Sequence, residues 1–172
     1  METFYKKMYK RNSTLTTAGF TIIEVLIACA IISVTTFALI SASVRGIQLS
    51  DRALKQTQAS ILLEEGAEVV KVIRDNSWAT VSGFTLDTNY YFTFDTGTNT
   101  WSLGTTPTST IDSIFTRTVV FSSVERDGSD DIVASGGTID PRTKKITVTV
   151  SWPQSGSTAS KVLTFYISDI FN

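Results

Sequence analysis

Two of the residue types most often used for catalysis and metal binding are absent or nearly absent from this chain. Histidine is absent, and Cys29 is the only cysteine. Histidine-based acid-base chemistry, the usual zinc sites and an intrachain disulfide are therefore excluded. A serine-lysine hydrolase using Lys144 or Lys161 would need a nucleophile elbow or a comparable local motif, and the sequence has none. We expect a protein without enzymatic activity and without a cofactor.

One acidic segment is a candidate site for a metal ion. Asp127, Asp130 and Asp131 cluster in the polar run DGSDD, and carboxylate oxygens are ligands that Ca²⁺ prefers. The run lacks the alternating oxygens and closing Glu of an EF-hand loop. The sequence therefore makes it a weak calcium-loop candidate, and a solvated turn is the favoured interpretation.

Glu24 is the only charged residue in an apolar stretch that runs from Phe20 to Val44. A carboxylate within the hydrocarbon of a bilayer costs about 2.5 to 3.5 kcal/mol on insertion scales, so it requires a partner or a function. The alternative is that Glu24 lies at the headgroup boundary and that the membrane span begins at Val25.

The uncharged run Val25–Val44 is long enough to cross a membrane. At about 1.5 Å per residue, a helix of this length spans roughly 30 Å, the thickness of a bilayer core. Four basic residues precede it, namely Lys6, Lys7, Lys10 and Arg11. The positive-inside rule places the N-terminus in the cytoplasm and the rest of the chain outside.

The basic leader, Gly19, Phe20, Thr21, Glu24 and the long apolar helix together resemble the type IV prepilin signature. This resemblance implies that prepilin peptidase, in the cytoplasmic membrane, cuts between Gly19 and Phe20 and that Phe20 becomes N-methylated. It also implies that the Glu24 carboxylate pairs with the Phe20 amine of a neighbouring subunit during assembly. Such a pair is strongly attractive in a low dielectric.

The same resemblance implies a structural subunit, a minor pilin or pseudopilin of a type IV pilus or of a type II secretion pseudopilus. Its expected partners are other pilin or pseudopilin subunits, the inner-membrane assembly platform and, before assembly, membrane lipid. The expected locations are the inner membrane first and then a periplasmic or extracellular filament. A net charge of −1 argues against nucleic acid as an electrostatic partner.

A second function uses the same region of the chain. Leu26-Ile27-Ala28-Cys29 matches a lipobox, after which a bacterial lipoprotein is cleaved and lipidated on its cysteine. The chain would then be a lipid-anchored, or simply single-pass, binding module that forms no filament. The apolar run that continues from Ala30 to Val44 argues against the lipobox, because lipoproteins turn polar soon after the cysteine.

The elements expected to position these residues begin with one long helix. We predict a leader at 1–19, a transmembrane or filament-core helix at 20–45 and an amphipathic helix at 46–76. The amphipathic part is predicted to bury an apolar stripe against a sheet. We expect a bend at Gly46 and a close sheet contact at Gly66. The stripe consists of Ile47, Leu54, Ile61, Leu62, Val69, Val72 and Ile73.

Residues 77–172 are predicted to form a β-rich head. Tyr90–Asp95 and Thr100–Leu103 flank a turn and indicate a hairpin, and a second hairpin is predicted from Phe115 to Val133. Asp140–Thr143 is predicted to be a turn, followed by an alternating strand that Pro153 ends and by a last strand at Val162–Ile167. The fold class is therefore α+β, with a long N-terminal helix packed on a C-terminal antiparallel sheet. Many major pilins have a C-terminal disulfide, so its exclusion here favours a pseudopilin or minor pilin.

Overall fold

The structure is a computed structural model that describes residues 19–108 and 110–170. Most of the predicted leader, residues 1–18, lies outside the described residues. Two compact units are present, Met1–Ile47 and Gln48–Asn172, and the helix α1 (Ile22–Asn76) contributes to both.

In the first unit, residues 22–47 are helical, and nearly all of their side chains are exposed. The run Val25–Val44 supplies only apolar and small hydroxyl side chains. This part of α1 is long and apolar enough to cross a membrane, by length and composition. The length and composition of this helix are compatible with membrane anchoring near the N-terminus.

In the second unit, α1 ends at Asn76, close to the predicted stop. Ser77 then caps a short second helix, α2 (Trp78–Ser82), which the sequence interpretation missed. The N–H of Thr80 donates to Ser77 Oγ at 3.3 Å, which satisfies one of the free amide groups at the start of α2.

Within the described residues, the strands of this unit are β1 (Tyr90–Asp95), β2 (Thr100–Gly104), β3 (Thr116–Arg126), β4 (Ile132–Val133), β5 (Thr138–Gln154) and β6 (Ser157–Ser168). They form one antiparallel sheet in the order β2-β1-β3-β5-β6, with β4 paired to the far end of β3. The fold class predicted from the sequence is confirmed: a long N-terminal helix packs on a C-terminal antiparallel sheet. Both predicted hairpins are present.

The hydrophobic core lies between α1 and the inner face of the sheet. Leu63 and Val70 of α1 pack against a cluster of sheet residues that includes Phe121, Ile146 and Val148. These three sheet residues are fully buried. Burial of aliphatic side chains of this size is worth roughly 1.5 to 3 kcal/mol each, so this interface is the main source of stability for the unit.

The predicted apolar stripe on α1 is only partly correct. Val69 and Ile73 are buried, and Leu62 is half-buried, but Leu54, Ile61 and Val72 are 58%, 60% and 48% exposed, and Ile47 is also exposed. The sheet instead covers the helix face that carries smaller residues, because these let the helix backbone approach the strands closely. That face carries Ala59, Leu63, Gly66, Ala67 and Val70.

The sequence around Pro141 also folds differently from the prediction. Asp140–Thr143 belongs to β5 rather than to a turn. The neighbours Ser123 and Val124 of β3 pair with Lys144 and Asp140, so residues 141–143 bulge out of this ladder. Pro141 is tolerated there because its missing N–H removes no ladder hydrogen bond.

Pro153 does not end β5, contrary to the prediction. The β3 ladder stops at Thr116↔Ser151, and Pro153 pairs only with Thr158 of β6. Proline is compatible with a strand position that has a free side.

Candidate functional site

Gly19 and Phe20 lie immediately before α1, outside the helix. Both are exposed: the side chain of Phe20 is 82% accessible, and no heavy atom lies within 4 Å of a Cβ built on Gly19. A peptide bond in this position meets the general requirement of proteolysis for an accessible, non-helical segment.

Glu24 lies in the first turn of α1. Its N–H donates to the Thr21 carbonyl at 3.1 Å and approaches Thr21 Oγ1 at 3.4 Å. Thr21 and Glu24 have the Thr-x-x-Glu spacing of a capping box, in which a hydroxyl and a carboxylate satisfy free amides at a helix start. The sequence interpretation did not consider this spacing, of which the structure shows the contact between the Glu24 N–H and the Thr21 hydroxyl.

A carboxylate in the first helical turn is also favoured by the helix dipole. Yet Glu24 forms no ion pair with any residue in the ranges 19–108 and 110–170. The observed bonds use the Glu24 backbone N–H, and within the described residues the Glu24 carboxylate has no cationic partner.

Cys29 is exposed and lies inside the continuous helix, where its carbonyl accepts a hydrogen bond from Ser33 Oγ at 2.7 Å. The lipobox prediction for Leu26–Cys29 thus concerns a helical segment, whereas the bond after Gly19 precedes the helix.

The acidic loop between β3 and β4 uses its carboxylates internally. Asp127 Oδ1 accepts the N–H groups of Ser129 at 2.9 Å and Asp131 at 3.0 Å, and the Asp130 carboxylate lies 3.6 Å from Arg126 Nε. Within the described residues, no three acidic, cysteine or histidine side chains are placed to hold a metal ion. The calcium-loop hypothesis therefore gains no support from this geometry.

Arg126 connects that loop to the bulge of β5. Its Nε lies 2.7 Å from Asp140 Oδ2, and its Nη1 donates to the Asp130 carbonyl at 2.8 Å. The Thr143 hydroxyl and then the Arg126 guanidinium lower the pKa of Asp140 to about 2. These groups line an open cleft of about 760 Å³. Because the guanidinium is already engaged by protein acceptors, the cluster serves to hold the loop against the sheet.

Arg117 is a buried charged residue in the second unit, Gln48–Asn172, which we call the sheet unit. Its side chain is 3% exposed, and Nη1 donates to the Leu62 carbonyl at 3.0 Å and to Glu65 Oε2 at 2.9 Å. Its Nε is buried without a hydrogen-bond partner. The sequence interpretation did not single out Arg117. The available signal was its alternation in phase with the buried Val119 and Phe121, which places a charged residue on the inner face.

The predicted site residues thus fall into two groups. Gly19, Phe20 and Glu24 lie at the start of α1, and the candidate calcium ligands lie in the β3–β4 loop of the sheet unit. Comparison of the chain with protein families, with curated proteins and with solved structures finds no match.

Proposed function

We propose that this protein is a minor pilin or pseudopilin, made as a prepilin and assembled into a filament through its N-terminal helix. The observation that carries the proposal is the arrangement at the start of α1. An exposed Gly19–Phe20 bond precedes the helix, Glu24 lies in the first turn, and twenty uncharged residues follow.

The accessibility of Gly19 supports processing by prepilin peptidase. After a cut at this bond, Phe20 is the first residue, and its amine becomes the substrate for N-methylation. Only Phe20 and Thr21 then precede the helix. The new amine of Phe20 is therefore close in the chain to Glu24, which lies in the first turn of the helix. The processed chain would present both charges at one end of an apolar helix.

Within residues 19–108 and 110–170 the Glu24 carboxylate has no ion-pair partner, and this supports assembly with another subunit. An α-amine with a reference pKa of about 7.7 to 8.0 is mostly protonated at neutral pH. A carboxylate and an ammonium that are each costly in a bilayer stabilise one another when two subunits meet. Pairing between neighbouring subunits would therefore favour a defined axial register.

An exposed apolar face on the second half of α1 also supports assembly. Leu54, Ile61 and Val72 share one side of the helix, away from the sheet, and each is about half exposed or more. We propose that this face contacts the helix of another filament subunit. The reason is that it lies on α1, whose apolar first half is already proposed to pack in a filament core. Unpartnered apolar residues aligned in this way are typical of contact surfaces.

The proposed partners are prepilin peptidase, other pilin or pseudopilin subunits and the inner-membrane assembly platform. The proposed path runs from the inner membrane, with the N-terminus in the cytoplasm, to a periplasmic or extracellular filament. The filament is a type IV pilus or a type II secretion pseudopilus, and co-purified subunits would distinguish the two.

Intact mass of the membrane-extracted protein tests the first step. We expect the loss of residues 1–19 and the gain of one methyl group in cells that contain prepilin peptidase, and the uncut chain in cells that lack it. Gly19→Leu should block the cut. Cys29→Ser is the matched control and should leave the mass change intact. An uncut wild-type chain, or lipid on Cys29, would instead support a membrane-anchored binding module.

A further inference from the structure

A cleft opens in the sheet where two neighbouring strands separate. β1 and β3 pair only at Tyr90↔Val119 and Tyr91↔Thr118, and their ladder ends there. Beyond it, the β1–β2 hairpin diverges from the start of β3 and leaves a cavity of about 460 Å³. This volume falls within the range of small-molecule sites.

One wall of the cleft is aromatic. Phe94 of β1 and Trp101 of β2 are cross-strand partners with ring centroids 5.0 Å apart, and Phe94 is 41% exposed. The two rings are tilted by 52° to each other and together form an apolar platform on a short hairpin. Within the described residues, the indole N–H of Trp101 makes no hydrogen bond, so one donor on this platform is unused.

The other walls carry neutral hydroxyl groups. Thr93, Thr110 and Thr116 line the cleft, and in the part of the chain that the structure describes none of their hydroxyls bonds to another protein group. Each hydroxyl can both donate and accept. The cleft therefore offers several adaptable polar contacts next to an aromatic surface.

The floor of the cleft is formed by Arg117, and its charge is already compensated. The guanidinium lies 4.5 Å from the centroid of the Phe92 ring and 5.7 Å from that of Trp101, while Glu65 holds its Nη1 at 2.9 Å. An anionic ligand would compete with the Glu65 carboxylate for this arginine. The floor is therefore rigid and close to neutral overall.

We propose that this cleft binds a neutral carbohydrate of one or two rings. A pyranose has an apolar C–H face that matches the Trp101 and Phe94 platform, and hydroxyl groups that match the threonine side chains and the indole N–H. An extended apolar ligand would leave those polar groups without partners, which is costly. The cleft is separate from the residues proposed for filament assembly, because Glu24, Leu54, Ile61 and Val72 do not line it.

The test uses the full chain in bilayer nanodiscs, which avoids detergents with sugar headgroups. Cellobiose, maltose and N,N′-diacetylchitobiose are titrated separately, with glucose 6-phosphate as an anionic probe. Saturation-transfer NMR and tryptophan fluorescence report binding. We expect at least one neutral disaccharide to bind saturably and more tightly than glucose 6-phosphate. Failure of all three sugars to bind, or tighter binding of the phosphate, would overturn the proposal.

Two substitutions locate the site. Trp101→Ala should weaken binding at least tenfold, and Thr116→Val should weaken it by a smaller factor. Tyr166→Ala is the matched control: Tyr166 is half exposed on β6 and does not line this cleft. Circular dichroism verifies that each variant is folded. Equal loss of binding in the Tyr166 and Trp101 variants, or no loss in either, would place binding elsewhere and contradict the proposal.

Discussion

The Nη1 atom of Arg117 lies 2.9 Å from Glu65 Oε2, and this contact joins strand β3 to helix α1. The two side chains differ in exposure, at 3% for Arg117 and 45% for Glu65. A buried guanidinium thus depends for charge compensation on a carboxylate that remains half in water. Removing one partner of such a pair costs more than replacing both, because a buried charge is then left alone.

Neutralising Glu65 should therefore destabilise the sheet unit. We expect Glu65→Gln to lower the free energy of unfolding by about 1 to 2 kcal/mol, less than for a fully buried pair because Glu65 is partly solvated. Glu64→Gln is the matched control, since Glu64 is exposed and has no ion pair among the described residues. Adding Arg117→Met to Glu65→Gln should cause no further loss. Thermal unfolding followed by near-ultraviolet circular dichroism measures each value, and a large additional loss in the double variant would contradict this account.

Gly66 should not tolerate a side chain, although alanine favours helices. A Cβ at Gly66 would lie 3.0 Å from Val148 Cγ1 and 3.2 Å from Arg117 Cδ. Val148 is fully buried and Arg117 is held by hydrogen bonds, so neither can move away easily. Overpacking costs about 1 to 3 kcal/mol and should exceed the gain of about 1 kcal/mol in helix propensity.

Gly46→Ala is the matched comparison, because nothing lies within 4 Å of a Cβ at Gly46. There we expect only the gain in helix propensity, seen as slower amide hydrogen exchange in the surrounding turns of α1. Gly66→Ala should instead lower the unfolding temperature of the sheet unit. Equal stabilisation by both substitutions would show that the contact at Gly66 is loose.

The sequence predicted the elements better than it predicted which helix face is buried. The alternation of Ile146, Val148 and Val150 identified β5 correctly, because a half-buried strand has a period of two. The seven-residue spacing of Leu54 and Ile61 predicts a buried stripe, but both side chains are exposed. The sheet packs on the face with Ala59, Leu63 and Gly66, where small residues permit close approach, and side-chain size alone does not reveal that preference.

The candidate sites were predictable to different degrees. Gly19, Phe20 and Glu24 are recognisable because their spacing is local, and a local motif can be read directly from the chain. The Arg117–Glu65 pair joins residues 52 positions apart, and it depends on how the helix lies across the sheet. The cleft beside Trp101 depends on where a strand ladder ends, which residue types do not specify.

The Asp140 carboxyl group should make the free energy of unfolding depend on pH in the acidic range. Its pKa in the folded protein is lowered from 3.8 to about 2 by the Thr143 hydroxyl and the Arg126 guanidinium. A carboxyl group whose pKa is lower in the folded than in the unfolded protein stabilises the fold at pH values above its unfolded-state pKa. This contribution of Asp140 disappears as the pH falls from about 4 to 2. We expect Asp140→Asn to cost about 1 to 2 kcal/mol at pH 7 and almost nothing near pH 2.

Thermal unfolding of wild type and Asp140→Asn at pH 7, 4 and 2 tests this dependence. Asp112→Asn is the control, because Asp112 is exposed and its positive φ of 50° suits asparagine equally well. The difference between wild type and Asp140→Asn should shrink with falling pH, whereas Asp112→Asn should match wild type throughout. A difference that stays constant down to pH 2 would mean that shape rather than charge determines the role of Asp140.

Substitutions at Glu24 can separate helix capping from assembly. Glutamine keeps the Thr-x-x-Gln form of the capping box but removes the charge, whereas leucine removes both. If Glu24 serves only the start of α1, Glu24→Gln should behave as wild type. If its charge pairs with the Phe20 amine of a neighbouring subunit, Glu24→Gln and Glu24→Leu should both insert and be cleaved, yet fail to enter filaments.

We expect the second result, because the Glu24 charge has no cationic partner within the described residues, and an unpaired carboxylate in hydrocarbon is costly. The measurement is the fraction of cleaved protein that co-sediments with sheared filaments, compared with the membrane-retained fraction. Glu24→Asp keeps the charge on a side chain one methylene shorter, so partial incorporation of this variant would support a distance-dependent ion pair. Full incorporation of Glu24→Gln would leave helix capping as the function of Glu24.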